Sequence, residues 1–118
     1  MRLLYTIESW ALVALSVLHM GATFRFFNAF NSQALWFFGG GMLMLLVAAL
    51  NLLNRTYGQN ARGLRLVCVA ANVVVTAFGI AAGYLGKASP LEWVVVMGIV
   101  VPLTLLSISP TAVQKNAA

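Results

Sequence analysis

The stretch Ala34–Leu53, ALWFFGGGMLMLLVAALNLL, decides the fold, because it contains no charged residue. A helix rises about 1.5 Å per residue, so this stretch can cross a hydrocarbon core about 30 Å thick. Further apolar stretches of similar length lie at 3–24, 64–85 and 91–108. None of them alternates polar and apolar residues as barrel strands do. We therefore predict an all-α integral membrane protein with four transmembrane helices.

The composition excludes an ordinary soluble domain. Of the 118 residues, 62% are hydrophobic and only 8% are charged, whereas soluble domains have about a quarter charged residues. The net charge of +5 does not indicate nucleic-acid binding, because the basic residues lie at the ends of the apolar stretches rather than in one patch. The single cysteine, Cys68, allows no intrachain disulfide, and its apolar surroundings predict a small buried side chain.

The connections between the predicted helices are short, at 25–33, 54–63 and 86–90. Short connections make neighbouring helices antiparallel, so we expect an up-down-up-down bundle. No connection is long enough to hold another domain. Residues 1–118 are therefore predicted to form a single transmembrane domain, with 109–118 as a polar, frayed tail.

The basic residues predict the orientation. Five of them share one end of such a bundle and two share the other: Arg2, Arg55, Arg62, Arg65 and Lys115 against Arg25 and Lys87. By the positive-inside rule, both termini lie in the cytoplasm. Aromatic residues fit the two interfaces: Tyr5, Trp10 and Tyr57 on the cytoplasmic side, and Trp36, Tyr84 and Trp93 on the other. The small size of the chain leads us to expect a bacterial inner membrane.

Two ionisable residues lie within the first apolar stretch. Glu8 and His19 are eleven residues apart, which is three helical turns plus roughly 20°, so they share one helix face. The rise of about 1.5 Å per residue separates them by about 16 Å. They therefore act in different layers, with Glu8 near the cytoplasmic end and His19 nearer the outside.

Glu8 has two interpretations. A charge inside the membrane requires a partner or water, and an ion pair with Arg65, supported by Asn51, would meet this need. Alternatively, Glu8 is a carboxylate that binds a proton or a cation in a cavity. The structural interpretation is favoured, because Arg65 and Asn51 are predicted to lie at the same depth as Glu8.

His19 and Asn72 each need an internal hydrogen-bond partner in lipid. For His19 the candidates are Thr23, Thr76 and the backbone near Gly39–Gly41. A ligand or proton site is the alternative for His19. Asn72 lies near the middle of the third helix and is a further candidate for binding a ligand or ion. With one histidine in the chain, no metal or haem site is predicted.

Small residues and a proline are expected to shape the packing. Gly39, Gly40 and Gly41 predict close approach of a neighbouring helix, or a hinge. Gly79 and Gly83 form a small-xxx-small pair, which packs against either a sister helix or a second copy. Pro102 lies inside the fourth stretch, where it predicts a kink.

No complete set of catalytic residues occurs in the sequence, so we expect neither an enzyme nor a cofactor. The leading hypothesis is an accessory or interaction subunit of the membrane, either a homo-oligomer or a partner of other membrane proteins. The alternative is a small oligomeric transporter or channel, coupled to protons or cations through Glu8 and His19. A further alternative is a module that binds a lipid or quinone near His19.

Overall fold

The computed structural model describes residues 1–110, 112 and 113. It contains four helices: α1 (Arg2–Phe26), α2 (Ser32–Tyr57), α3 (Arg62–Leu85) and α4 (Pro90–Ile108). All four are long and apolar enough to span a membrane, and the described part of the chain has no strand. The prediction of an all-helical chain with four helices long and apolar enough to cross a membrane is confirmed for the described residues.

The helices extend slightly beyond the apolar stretches, since local hydrogen bonds rather than hydropathy set their ends. The Asn31 side chain accepts a hydrogen bond from the Ala34 N–H (2.9 Å) at the start of α2. At the start of α4, Ser89 and Glu92 form a capping box with Pro90 in the first turn. By contrast, α3 begins after Ala61 without a side-chain cap.

The four helices pack as a ring in which each contacts its two neighbours. The helices α2 and α4 also meet across the ring, on its short diagonal, whereas α1 and α3 lie on its long diagonal. The most extensive contact joins α1 and α2, and α3 packs on α4. α2 also contacts both α3 and α4, and α1 contacts α4. Among the described residues, no Cα atom of α1 approaches one of α3 within 8 Å. Any link between α1 and α3 must therefore come from a long side chain.

The pair α1–α2 and the pair α3–α4 pack against each other mainly at one end. In α3 the buried residues lie between Cys68 and Val75, and in α4 between Val100 and Ser107. In α1 they extend from Tyr5 to Thr23. The buried residues of α3 and α4 thus concentrate the contact between the two pairs towards one end.

The segment after α4 begins by packing against the bundle. Ala112 and Val113 are buried in the hydrophobic core. The Gln59 side-chain amide donates hydrogen bonds to the carbonyls of Pro110 (3.2 Å) and Val113 (3.4 Å). The predicted frayed tail at 109–118 is thus wrong for these residues, because two apolar side chains find a place in the core. Thr111 and residues 114–118 lie outside the described residues.

Candidate functional site

Five buried polar side chains meet where the two helix pairs pack together. They come from α1, α2 and α3, and none is more than 1% exposed. We call them the polar cluster: Tyr5, Asn51, Asn54, Cys68 and Asn72. Each faces inward from a helix whose other residues are mostly apolar, so the cluster is enclosed by hydrophobic side chains.

Asn51 and Asn72 form a reciprocal amide pair between α2 and α3. The Asn51 Nδ2 donates to Asn72 Oδ1 at 2.8 Å, and the Asn72 Nδ2 donates to Asn51 Oδ1 at 2.9 Å. A second hydrogen of Asn51 Nδ2 goes to the Val47 carbonyl, one turn earlier in α2 (2.8 Å). These reciprocal hydrogen bonds fix both side chains and set the register of α2 against α3.

Tyr5 connects α1 to this pair. Its hydroxyl donates to Asn51 Oδ1 at 2.7 Å and accepts from Asn54 Nδ2 at 3.0 Å. It also lies 3.7 Å from the Cys68 sulfur, so its side chain bridges the long diagonal between α1 and α3. The Cys68 thiol donates to Asn51 Oδ1 at 3.4 Å. Asn51 is thus the centre of the polar cluster.

Asn54 brings α4 into the arrangement. Its Nδ2 donates to the Ser107 carbonyl at 3.3 Å, near the end of α4. Its Oδ1 is buried and has no hydrogen-bond partner among the described residues. Gly58, one turn later, leaves room for this oxygen, because a Cβ atom there would collide with it. The same Cβ would lie 2.5 Å from the Asn54 carbonyl oxygen, so the backbone as well as the Asn54 side chain favours glycine at this position.

The side chains of the polar cluster are mainly engaged with one another across the helices. The cluster contains amides, a phenol and a thiol, but no carboxylate or imidazole. Nearly every donor is already bonded within the bundle. Among the described residues, no three His, Cys, Asp or Glu side chains come together as a metal site. The arrangement links all four helices through side-chain and carbonyl contacts.

A smaller polar contact joins α3 to α4 next to the polar cluster. The Thr76 and Thr104 hydroxyls lie 3.3 Å apart. Each is also within hydrogen-bond distance of the carbonyl one turn earlier in its own helix, Asn72 for Thr76 and Val100 for Thr104, and because each hydroxyl has one hydrogen, at most two of the three bonds form at once. Thr76, a predicted partner of His19, is therefore engaged with α4 instead.

Glu8 and Arg65 do not pair. The Arg65 Nη2 donates to the Ile108 carbonyl at the end of α4 (2.8 Å). Asn51, the predicted support of the pair, is held by Tyr5 and Asn72. Glu8 is half-buried and has no ion-pair partner among the described residues. The predicted ion pair fails because equal depth on two helices does not make them neighbours, and α1 and α3 lie on the long diagonal.

His19 lies far from the polar cluster, between α1 and the start of α2. Its Nε2 donates to the Phe37 carbonyl at 2.8 Å, in the tautomer that places the proton there. Its ring stacks on the Phe37 ring, with centroids 3.9 Å apart and planes 15° apart. This is the backbone partner expected near Gly39–Gly41. Around it lies an aromatic cluster consisting of Phe24, Phe26, Phe27, Phe30, Phe37 and Phe38.

The three consecutive glycines of α2 have different surroundings. A Cβ at Gly41 would lie 2.5 Å from Met20 Cγ and 3.1 Å from the Ser16 carbonyl oxygen, so α1 approaches closely there. At Gly40 the nearest atom would be His19 Nε2 at 3.5 Å, and at Gly39 nothing lies within 4 Å. Only Gly41 is required by close packing.

The glycines of α3 face α4. A Cβ at Gly83 would lie 2.8 Å from the Trp93 ring, and one at Gly79 would lie 3.5 Å from Met97 Cε. The small-xxx-small pair thus packs against the sister helix. Pro102 lies within α4, which continues through it as one helix from Pro90 to Ile108.

Sequence reasoning identifies Asn51 and Asn72 but misses Tyr5, Asn54 and Cys68 as their partners. The sequence pattern favours an interface position for Tyr5 and a small apolar filler for Cys68. The available signal is three asparagines in two otherwise apolar stretches, Asn51 and Asn54 near the end of the second and Asn72 near the middle of the third. Since each needs an internal partner in lipid, a common cluster was one way to satisfy all three.

Similarity to known proteins adds no residue to this site. No protein-family model, no curated protein and no solved structure matches the chain. The function is therefore inferred from the geometry alone.

Proposed function

We propose that the protein is a non-catalytic accessory or interaction subunit of a membrane, acting as a homo-oligomer or together with other membrane proteins. The observation that carries this proposal is the polar cluster. Its amides and hydroxyl are bonded to each other across the bundle, at 2.7–3.0 Å for the central bonds. Polar residues in lipid usually mark either a functional path or a packing contact. Here the contacts favour packing.

The proposed topology is an up-down-up-down bundle with both termini in the cytoplasm. Tyr5, near the start of α1, contacts Asn51 and Asn54 near the end of α2, which supports an antiparallel pair. Arg65, near the start of α3, contacts Ile108 at the end of α4 in the same way. The charge asymmetry supports the orientation by the positive-inside rule. A bacterial inner membrane is the proposed location.

An association between chains is supported by the incomplete packing of the two helix pairs. Outside the shared end, α3 and α4 have no buried residue of their own. Transmembrane helices associate through packing and hydrogen bonds rather than through the hydrophobic effect. The exposed faces of α3 and α4 outside the shared end are therefore open to a neighbouring protein as well as to lipid.

A transporter or channel coupled to protons or cations is the second candidate, and one observation favours it. Glu8 is half-buried within α1 and has no ion-pair partner among the described residues. An intramembrane carboxylate of this kind suits a proton or cation path when it faces a cavity. In this proposal Glu8 binds the ion, and His19 and Asn72 line the route. The bonds that His19 and Asn72 already make would have to break.

The third candidate, a module that binds a lipid or quinone, is supported by the aromatic cluster around His19. Exposed aromatic rings, such as those of Phe24, Phe26 and Phe30, give a flat apolar ligand surfaces to stack on. The Nε2 of His19 is occupied by the Phe37 carbonyl, which leaves Nδ1 for such a ligand.

The test of the leading proposal is native mass spectrometry of the full chain, extracted from its own membrane in mild detergent. An absorption spectrum of the same sample detects bound chromophores. We expect a colourless assembly, either a multiple of the chain mass or a complex with another membrane protein. A chain that is monomeric at every concentration and carries no protein partner would contradict an interaction role.

The transport alternative has its own test in proteoliposomes that contain a pH-sensitive dye. Glu8→Gln should abolish proton movement if Glu8 is the coupling site. Glu92→Gln is the matched control, because Glu92 caps α4 at the opposite end of the bundle. Proton movement lost only in Glu8→Gln would replace the leading proposal with the transporter. No proton movement in the wild-type protein would exclude proton coupling.

A further inference from the structure

An open depression lies at the charged end of the bundle, between the α2–α3 connection, the start of α3 and the end of α4. Its volume is about 690 Å³. Two arginines, Arg62 and Arg65, line one part of it, and its apolar lining includes Leu66, Val69 and Ile108. We call it the basic groove. It is far from His19, and none of the polar cluster residues lines it.

The basic part of the groove combines two sources of positive potential. Arg65 spends one donor on the Ile108 carbonyl, which anchors its guanidinium at the groove and leaves further N–H groups free. Arg62 is exposed beside it. The first turn of α3 has no side-chain cap, so its backbone N–H groups at this end are open to an anion. A Cβ at Gly63 would meet nothing within 4 Å, which leaves the backbone accessible.

No carboxylate side chain competes for these arginines within the described residues. The sequence contains two acidic residues, Glu8 and Glu92. Glu8 lies on α1, whose Cα atoms stay more than 8 Å from those of α3. Glu92 caps α4 at the other end of the bundle. The charge of the groove is therefore available to a ligand.

The apolar part of the groove decides which anion fits. Leu66 is 60% exposed, and Val69, one turn further on, continues the lining towards the middle of α3. A small soluble anion would contact the arginines only. A molecule with an anionic head and a hydrocarbon chain would satisfy both parts, as in basic sites between helices that hold acidic lipid headgroups.

We propose that the basic groove binds one anionic phospholipid, with its phosphate on Arg62, Arg65 and the start of α3. One acyl chain lies along Leu66, Val69 and Ile108. This site is independent of the proposed interaction role, because a subunit or a transporter could equally carry it.

The experiment is native mass spectrometry of the full-length protein in neutral detergent, titrated with phosphatidylglycerol or phosphatidylcholine of identical acyl chains. We expect one phosphatidylglycerol to be retained in preference to phosphatidylcholine. Each arginine near a membrane surface contributes about fivefold in affinity for acidic lipid. Arg62→Gln should therefore weaken binding about fivefold, and Arg62→Gln/Arg65→Gln about 25-fold.

Matched controls separate the groove from general charge and from misfolding. Arg25→Gln/Lys87→Gln removes the same charge at the opposite end and should leave binding unchanged. Arg62→Gln alone keeps the Arg65–Ile108 contact, so it remains informative if the double variant unfolds. Circular dichroism checks the helical content of each variant.

Three results would overturn the proposal. One is equal retention of the two lipids, and another is an equal loss of binding in the control variant. The third is displacement of phosphatidylglycerol by inorganic phosphate at equal concentration, which would make the groove a site for soluble phosphate. Leu66→Ser sharpens this last distinction, because it should weaken phosphatidylglycerol binding and leave phosphate binding unchanged.

Discussion

The two ends of the α1–α2 pair are held together in different ways. At one end, Tyr5 joins a network of side chains that also includes α3 and contacts α4. At the other end, His19 makes one bond to a backbone carbonyl and stacks on Phe37, and both residues belong to this pair alone. A hydrogen bond between two side chains forms only if both residues are present, so it determines which helices meet. A hydrogen bond to a backbone carbonyl does not depend on the identity of the partner residue. We therefore call the end at Tyr5 the specified end and the end at His19 the adaptable end.

The largest expected effect comes from removing the centre of the polar cluster. Asn51→Leu deletes bonds to Tyr5, Asn72 and the Val47 carbonyl. At an average of about 0.6 kcal/mol for each of these four bonds, we expect the free energy of unfolding to fall by about 2–3 kcal/mol. Unfolding in mixed micelles with increasing dodecyl sulfate, followed by tryptophan fluorescence, measures it. Asn60→Leu, the same change at an exposed position, is the control.

A double-mutant cycle with Asn72→Leu tests whether the amide pair acts as a unit. The double variant should lose about 1 kcal/mol less than the sum of the single variants, because neither amide is left without its partner. Strict additivity would mean that Asn51 and Asn72 contribute separately, and the contrast between the two ends would then weaken.

The next effect tests the close packing between α1 and α2. Gly41→Ala places a methyl group against Met20 and the Ser16 carbonyl, and we expect a loss of about 1–2 kcal/mol in the same assay. Gly39→Ala is the matched control, since its surroundings are open. It should be neutral or stabilise the helix by up to about 1 kcal/mol. Equal effects of the two variants would refute the assigned faces of α2.

A smaller effect is expected at the adaptable end. His19→Phe keeps a ring to stack on Phe37 but removes the bond to its carbonyl. We expect a loss of about 1 kcal/mol or less, the value of a single intramembrane hydrogen bond. His19→Leu removes the stacking as well and should cost more. If His19→Phe lowered the free energy of unfolding as much as Asn51→Leu does, His19 would be as important for helix packing as the polar cluster.

The smallest effect is expected at Glu8. A carboxylate without an ion pair loses little when it becomes an amide, so Glu8→Gln should change stability by less than about 0.5 kcal/mol. Breaking a buried ion pair would instead cost about 3–5 kcal/mol. Comparison with Arg65→Gln completes the test. Large and equal losses in both variants would restore the ion pair that the sequence suggests.

The four helices could be predicted from the sequence, because a run of about 18 mostly apolar residues with few or no charges is the length and composition that a membrane-spanning helix requires. Hydropathy is less informative about where the helices end. The Asn31 cap and the Ser89–Glu92 capping box depend on local side-chain geometry that hydropathy does not record. The burial of Ala112 and Val113 was also unexpected, since a short apolar pair within a polar segment gives little signal.

The site was only partly predictable for a related reason. Depth in the membrane follows from position along a helix, and it placed Asn51 near the end of the second helix and Asn72 near the middle of the third, so it did not predict that they pair. Lateral neighbours depend on the packing order of the helices and on which faces meet. That is why Glu8 and Arg65, at similar depth, do not pair, whereas Tyr5 reaches Cys68 across the long diagonal.

The burial of Cys68 gives the chain a built-in kinetic probe. It is the only thiol in the sequence, it is 0% exposed, and it lies among Tyr5, Asn51 and Asn72. A membrane-permeant maleimide can reach its sulfur only after the helices separate around the polar cluster. When alkylation of the exposed thiol is faster than reclosing of the bundle, the labelling rate in intact membranes equals the opening rate of the bundle. The lifetime of the closed state can thus be timed in the native chain, without an engineered label.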